Sequence, residues 1–131
     1  MKLSTKGRYG LMAMEVLKDK YGRGPVSVSY IAGEKNISEA YLEQLFSLMK
    51  KRGLVKSIRG AQGGYELARS PEDISIEDIL VSLEGEPEFS CCDGVSETDC
   101  VEGKNCRMKN ILDRIENGFS EVTASIKLSE L

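Results

Sequence analysis

The 131-residue sequence is 40% hydrophobic and 30% charged and contains no histidine, which excludes a disordered chain, the usual histidine-based catalytic arrangements and the commonest transition-metal ligand. Its net charge of −3 conceals an asymmetry, because residues 1–70 hold 13 Lys and Arg against 6 Asp and Glu, while residues 71–131 hold 5 against 15. We predict one domain's worth of core, no enzymatic activity and a basic half that faces a polyanion, with chance segregation of solvated charges as the alternative.

The first predicted helix begins after Ser4 or Thr5 and ends at Gly22. Apolar residues recur every three or four positions along one face, at Leu11, Met14, Leu17 and Tyr21. The consecutive apolar residues 11–14 are interrupted by Glu15. No apolar run in the sequence approaches the roughly 18 residues of a membrane span. We therefore predict a cytoplasmic protein without membrane association.

The next two predicted helices are joined by a tight turn. A short helix begins after Ser27 or Ser29 and closes at Asn36, and a third helix over Glu39–Lys51 is capped by Ser38. The apolar side chains of the third helix point inward, at Leu42, Leu45, Phe46 and Met49. Two helices in this arrangement are typical of a helix-turn-helix unit.

A β-hairpin is predicted after the third helix. Residues 54–58 and 65–67 alternate apolar and polar side chains around the glycine-rich loop 59–64. A nucleotide phosphate loop is the weaker alternative, because no Gly-Lys-Ser/Thr ending and no helix follow the glycines. Three helices and a hairpin predict a mainly α fold, in which residues 1–70 form a winged helix-turn-helix DNA-binding region with the hairpin as its wing.

Candidate DNA-contacting residues follow from this fold, because the third helix of such a domain enters the major groove. Gln44 can pair with adenine, and Glu43 can accept from a cytosine amino group and penalise other bases. Arg59 at the wing tip can enter a minor groove that the neighbouring glycines let the backbone approach. Exposed helix positions and flanking basic residues complete the predicted surface, which comprises Ser38, Glu39, Tyr41, Glu43, Gln44, Arg59, Gly60, Lys6 and Arg8. Simple solvation of these side chains is the alternative.

Residues 71–131 are predicted to hold a connecting helix, a loop and a long terminal helix. The connecting helix starts after Ser75, and residues 85–106 form a loop too polar to pack a core. From Met108 onward an apolar stripe runs for about five turns, through Ile111, Leu112, Ile115, Phe119, Val122 and Ile126. We expect a partner helix in a homodimer to cover this stripe, and packing against the first helix is the alternative.

All four cysteines lie in the predicted loop, at Cys91, Cys92, Cys100 and Cys106. Clustered cysteines in a reducing compartment indicate metal binding or redox sensing more often than structural disulfides. The paired spacing of a zinc ribbon is absent. An iron–sulfur cluster is favoured, and zinc, a thiol switch and inert cysteines stay open.

Four segments resemble a known family of bacterial regulators. The opening MKLSTKGRYG, the helix segment SEAYLEQL at 38–45 and the wing VKSIRGAQGGY at 55–65 closely resemble the IscR, CymR and NsrR family of winged-helix proteins, as does the ending at 126–131. The resemblance implies a dimeric transcription factor that binds a pseudo-palindromic operator in double-stranded DNA.

The same resemblance implies that Cys92, Cys100 and Cys106 hold a [2Fe-2S] cluster. The first cysteine gap is longer than in the IscR branch, and Lys109 stands where that branch has a histidine ligand. The fourth ligand is open between Cys91, a carboxylate such as Asp99 or Glu102, and a partner chain. The resemblance favours a sensor that controls cluster-assembly genes. Its alternatives are a nitric-oxide-sensing [4Fe-4S] repressor and a cysteine-metabolism repressor that acts through a protein partner.

Overall fold

The computed structural model describes residues 3–89 and 106–131. Within these two ranges, five helices and two strands follow in chain order as α1 (Thr5–Asp19), α2 (Val28–Lys35), α3 (Glu39–Lys51), β1 (Val55–Ile58), β2 (Gly64–Leu67), α4 (Ile76–Glu84) and α5 (Arg107–Ser125). Single 3-10 turns lie at Pro71–Asp73 and Leu128–Glu130. This order confirms the predicted fold class, a winged helix-turn-helix unit with a long C-terminal helix.

Serine side chains begin four of these helices. The hydroxyls of Ser4, Ser27, Ser38 and Ser75 each accept a hydrogen bond from the backbone amide three residues later. Such a bond satisfies one of the amides that the first helical turn leaves without a partner. The predicted starts after Ser38 and Ser75 are confirmed, and Ser4 and Ser27 are the caps among the alternatives at the first two helices.

The first helix ends earlier than its apolar pattern predicts. Helix α1 stops at Asp19, and Tyr21 lies in the following turn with 50% of its surface exposed. The amide of Tyr21 bonds to the Lys18 carbonyl, three residues back, and Gly22 then takes a positive φ of 83°. The prediction that Tyr21 extends the buried face of α1 is therefore wrong, since the chain tightens and turns before that residue.

The core lies between α1, α3 and α4. Leu42, Leu45, Phe46 and Met49 of α3 are fully buried, as their spacing predicts. Helix α4 contacts both α1 and α3 and contributes apolar residues that are buried in the same cluster, namely Ile76, Ile79, Leu80 and Leu83. Burial of such side chains supplies most of the driving force for folding, so α4 is part of the body that supports the helix-turn-helix.

The wing is an antiparallel two-stranded hairpin, and one further residue, outside the two strands, forms a β-bridge with it. Strand β1 pairs with β2 from Val55 opposite Leu67 to Ile58 opposite Gly64, which confirms the predicted hairpin. Val26, in the segment that leads to α2, forms a bridge with Tyr65 of β2. The wing is thereby joined by main-chain hydrogen bonds to the entry of the helix-turn-helix.

The segment after α5 returns to the winged-helix body. Ile126, predicted to continue the helix, is extended instead, and its carbonyl accepts from the amide of Ile76 at 2.9 Å. The amide of Leu128 donates to the Ile74 carbonyl at 2.8 Å, and the Leu128 side chain is fully buried. The apolar character of these two residues therefore reflects docking onto residues 74–76 and not a further turn of helix.

The side chains of the apolar stripe on α5 are partly exposed. Its residues are between 37% and 59% exposed at Met108, Ile111, Ile115, Phe119 and Val122. Helix α5 packs against α4, and within the described part of the chain these five side chains stay partly exposed. Across residues 3–89 and 106–131, no helix combines the length and the apolar character that crossing a membrane requires.

Candidate nucleic-acid interface

The turn between α2 and α3 orients the candidate recognition helix. Asn36 closes α2 in the left-handed conformation, with φ 54° and ψ 50°, which asparagine tolerates better than most residues with a side chain. The Ile37 amide then bonds to the Ala32 carbonyl at 3.2 Å, and the Ile37 side chain is buried. The hydrogen bond and the burial of Ile37 fix the chain just before Ser38, and they thereby fix the direction in which α3 leaves the turn.

One face of α3 is buried and the opposite face is open. Glu39, Glu43 and Gln44 are exposed, as is Ser38, whose hydroxyl accepts from the Tyr41 amide at 3.2 Å. Tyr41 itself is half-buried. The five predicted residues of the recognition helix therefore share one end of α3, with two carboxylates, one amide and one phenol available there.

Aromatic contacts join that end of α3 to the start of α1. The Tyr41 ring meets the Tyr9 ring edge-on, with centroids 5.9 Å apart and planes at 85°. The guanidinium of Arg8 lies 5.4 Å from the centroid of the same Tyr9 ring. The structure thus brings predicted residues Arg8 and Tyr41 together through Tyr9, which the sequence did not single out. Lys6 is exposed on the first turn of the same helix.

The wing exposes Arg59 and Gly60 at its tip. Gly60 has a φ of 117°, and its carbonyl accepts from the Gly63 amide at 3.0 Å to close the turn. A Cβ at Gly63 would overlap the Ile58 carbonyl oxygen, and one at Gly64 would overlap that of Val26. These last two glycines face the chain's own backbone, so packing inside the wing accounts for them, whereas Gly60 is open to the outside.

Glu43 is held by the wing. Its Oε2 accepts a hydrogen bond from the Tyr65 hydroxyl at 2.8 Å, and the Tyr65 ring stacks on Phe46 with centroids 4.4 Å apart. Burial, and then the hydrogen bond to Glu43 and the charge of that carboxylate, raise the pKa of Tyr65 to about 12. Sequence reasoning missed Tyr65, because its partner lies 22 residues away on another element.

Basic side chains flank this surface. Lys50, near the end of α3, donates to the Ser57 hydroxyl at 2.8 Å, which ties the helix to β1. Lys56 lies 3.2 Å from Glu66 on the paired strand. Lys51 and Arg52 are exposed beside them. Positive charge of this kind favours a polyanion, although Glu66 offsets part of it.

Cys106 is the one predicted cluster ligand among the described residues. It is half-buried and lies directly before α5, and its side chain makes no capping hydrogen bond to the helix. Cys91, Cys92 and Cys100 lie outside the described residues, as do Asp99 and Glu102. Within the described ranges, no three Cys, Asp or Glu side chains form a group that could hold a metal ion.

The segment before the cysteines lies along α5. The Phe89 amide donates to Glu116 at 3.3 Å, and the Phe89 ring meets Phe119 with centroids 5.9 Å apart. Phe89 and Phe119 border a cavity of about 420 Å³ between α4 and α5, whose other walls include Leu3 and Leu80. Phe89, the last described residue before the cysteines, therefore packs against the middle of α5, and Cys106 lies directly before the first residue of that helix.

Similarity to known proteins extends over nearly the whole chain. Residues 3–131 match the model of the Rrf2 family, described as an iron-dependent transcriptional regulator. All 131 residues align at 44% identity with the HTH-type transcriptional regulator CymR of Bacillus subtilis (strain 168), covering 89% of that protein.

Two solved structures show the same likeness. IscR of T. potens matches with a TM-score of 0.75 and 44% identity over 98% of this chain and 84% of that one. CymR, the global cysteine regulator of B. subtilis, matches with a TM-score of 0.77 and 42% identity over 98% and 93% of the two chains. The resemblance seen in the sequence is thereby confirmed. Identity reaches 44% both with the IscR of T. potens and with the CymR of B. subtilis, whereas IscR relatives from other bacteria reach 34%. Identity alone therefore does not assign this chain to one kind of regulator.

Proposed function

Because this chain belongs to the Rrf2 family, whose members are transcriptional regulators and not enzymes, we propose that it is a dimeric regulator that senses iron–sulfur cluster status. In this proposal α3 and the wing read an operator, a [2Fe-2S] cluster held by the cysteines reports cluster supply, and the regulated genes serve cluster assembly. The observation that carries the proposal is the clustering of all four cysteines between residues 91 and 106, in the segment that leads into α5. In the same chain α3 and the tip of the wing expose polar and basic side chains.

The DNA-reading roles follow from the chemistry of each side chain. Gln44 is exposed and can pair with adenine, and the second carboxylate oxygen of Glu43 can accept from a cytosine amino group. Arg59 and Gly60 extend from the wing toward a minor groove. Contacts to phosphate and to flanking bases complete the surface, through Ser38, Glu39, Tyr41, Lys6 and Arg8.

A homodimer accounts for the open stripe on α5. Its five exposed apolar residues lie three or four positions apart, so they form one continuous ridge. A second copy of the helix would cover them, and a two-fold dimer would present two copies of α3 to DNA. The operator would then be a pseudo-palindrome whose half-sites lie about 34 Å, or a multiple of that distance, apart.

The cysteines supply the donor chemistry that a cluster needs. Thiolates of Cys92, Cys100 and Cys106 would hold it, with Cys91 or a group other than cysteine as the fourth ligand. Cys106 fits this role, because its thiol is half-buried and is not used to cap α5. When bound, an iron–sulfur cluster supplies a centre that is lost or modified as iron and oxidants change.

The similarity to CymR favours a second candidate function. A cysteine-metabolism repressor that acts through a protein partner would use the same DNA surface but would need no cluster. The 44% identity to CymR supports it. The cysteines favour the first candidate, because the CymR branch, as the resemblance describes it, lacks them.

Anaerobic purification followed by a visible spectrum and by iron and sulfide analysis separates these candidates. Two irons and two sulfides per chain are expected for the sensor with a [2Fe-2S] cluster, and four of each would indicate the nitric-oxide-sensing [4Fe-4S] repressor. A colourless protein without iron would contradict cluster sensing and favour the cysteine-metabolism repressor. The control is the same chain with all four cysteines replaced by alanine, which should bind no iron.

A further inference from the structure

Tyr65 is a meeting point of three parts of the fold. Its amide and carbonyl bond to the carbonyl and amide of Val26, at 2.9 and 2.8 Å, and its strand pairs with Ser57 of β1. Its ring stacks on Phe46 of α3 with the planes only 13° apart. Main chain and ring are therefore both fixed, so the hydroxyl has a defined position relative to α3.

The hydroxyl uses that position to hold an exposed carboxylate. Glu43 and Phe46 are three residues apart on α3 and so lie on neighbouring parts of its surface. Tyr65 therefore reaches both, the ring covering Phe46 and the hydroxyl donating to Glu43 Oε2 at 2.8 Å. With its pKa raised to about 12, the phenol keeps its proton at neutral pH and remains a donor.

We propose that Tyr65 is a positioning residue that sets base discrimination by holding the Glu43 carboxylate in one place on α3. This inference rests on the proposed DNA-reading function. A carboxylate accepts from the amino group of cytosine and is repelled by the acceptor atoms of guanine and thymine. A free glutamate can rotate away from an unfavourable base, whereas one held through Oε2 keeps Oε1 directed at it. Tyr65 thereby restricts the Glu43 side chain to a position from which it distinguishes one base from another.

The phenylalanine variant isolates the hydroxyl. Tyr65→Phe keeps the ring that stacks on Phe46 and the main-chain bonds to Val26, and it removes only the donor to Glu43. The matched control is Tyr21→Phe, which removes a hydroxyl from an exposed tyrosine in the turn after α1. Circular dichroism of both variants reports whether the fold is retained.

Selection from a pool of randomised duplexes measures the effect on the full-length protein. The wild type should enrich a sequence with a preferred base pair opposite Glu43. Tyr65→Phe should lower the affinity ratio between that sequence and its single-base variants at this position by about fivefold, the equivalent of one hydrogen bond. Ratios at other positions and those of Tyr21→Phe should not change.

A double-mutant cycle with Glu43→Ala separates positioning from a general structural role. If Tyr65 acts through Glu43, then Tyr65→Phe has no further effect on discrimination once Glu43 is alanine. A uniform loss of affinity for every duplex that persists in the Glu43→Ala background would overturn the proposal. So would unchanged ratios in Tyr65→Phe, or in Glu43→Ala alone, while the wild type still selects a sequence.

Two further results complete the test. If the wild type enriches no duplex, the DNA-reading function itself fails, and the role of Tyr65 with it. The contact is also measurable without DNA, because Glu43→Ala should lower the pKa of Tyr65 from about 12 toward 10, as followed by NMR of the tyrosine ring carbons. An unchanged Tyr65 titration in that variant would show that the hydroxyl and the carboxylate are not in contact, and would overturn the proposal even if Tyr65→Phe did not fold.

Discussion

Leu83 of α4 lies directly against Gly10 of α1, so closely that a Cβ added at position 10 would overlap the Leu83 Cδ1 atom. Both residues are buried. The absence of a side chain at Gly10 therefore sets how near α4 comes to α1. Since α4 also contacts α3, this one glycine affects the support of the DNA-facing helix.

Gly10→Ala should lower the free energy of unfolding by about 1–3 kcal/mol through overpacking. This loss outweighs the gain of about 0.5–1 kcal/mol that alanine brings to a helix interior. Urea denaturation followed by circular dichroism measures the difference. The control is Gly33→Ala in α2, where an added Cβ meets no atom within 4 Å. This variant should raise the free energy of unfolding. Equal responses of the two variants would contradict the clash with Leu83.

Arg59→Ala should weaken binding to the selected operator duplex by about 1–3 kcal/mol and leave the fold intact. The side chain is exposed at the tip of the wing, so it contributes to the complex and not to packing. Fluorescence anisotropy at fixed salt measures the loss. Arg23→Ala, which removes the same charge from an exposed turn, is the control, and equal affinities of the two variants would argue against a specific wing contact.

Gln44→Ala should relax discrimination between duplexes more than it reduces non-specific binding, because an uncharged amide reads bases and contributes little to phosphate attraction. Lys6→Ala should do the opposite, weakening all duplexes alike and reducing the salt slope by about one ion. Titrations over a range of salt concentrations compare the two. A flatter salt slope for Gln44→Ala would assign that residue to positioning instead of reading.

Ile115→Glu should raise the dissociation constant of the proposed dimer by at least about tenfold. The variant places a charge in the apolar stripe of α5 and removes an isoleucine that the partner helix would cover. Light scattering coupled to gel filtration reports the mass at several concentrations. Asn117→Glu adds the same charge at an exposed position outside the stripe and should leave the mass unchanged. A wild-type chain that stays monomeric at high concentration would contradict the interface.

Replacement of Cys92, Cys100 or Cys106 by alanine should abolish the visible absorbance of the anaerobically purified protein. Each variant should remain a dimer, since the α5 stripe contains none of these residues. Cys91→Ala identifies the fourth ligand, because complete loss indicates four cysteines and retention indicates an oxygen ligand or one from the partner chain. Unchanged iron content in all four variants would exclude a cluster site at these cysteines.

Local chemistry explains why much of the fold was predictable. The start of α3 after Ser38 and the burial of Leu42 and Phe46 depend on a capping hydroxyl and on helical spacing, both of which are visible in a few consecutive residues. The C-terminal ends of α1 and α5 are harder to predict from the sequence. Tyr21 and Ile126 continue the apolar period, but a tightened turn and docking onto Ile76 remove them from their helices.

The candidate site was predictable as a set of exposed residues but not as a connected surface. Tyr9 and Tyr65 lie in segments that resemble the family, but the sequence assigns neither a role, and each contacts a partner more than 20 residues away. Such contacts arise only when α1, α3 and the wing pack together. Periodicity therefore located Glu43 and Tyr41 on the helix, and tertiary structure alone revealed what holds them.

The docking of residues 126–128 onto residues 74–76 fixes the C-terminal end of α5 on the winged-helix body. The docked residues directly follow Ser125, the last residue of α5, whereas Cys106 lies at the opposite end of this helix, which is about 28 Å long. A rotation of about 10° at the attached end would carry Cys106 through about 5 Å, by the length of that helix. Any such rotation would move Cys106 farther than any residue of α5, and it would also change the contact between α5 and α4.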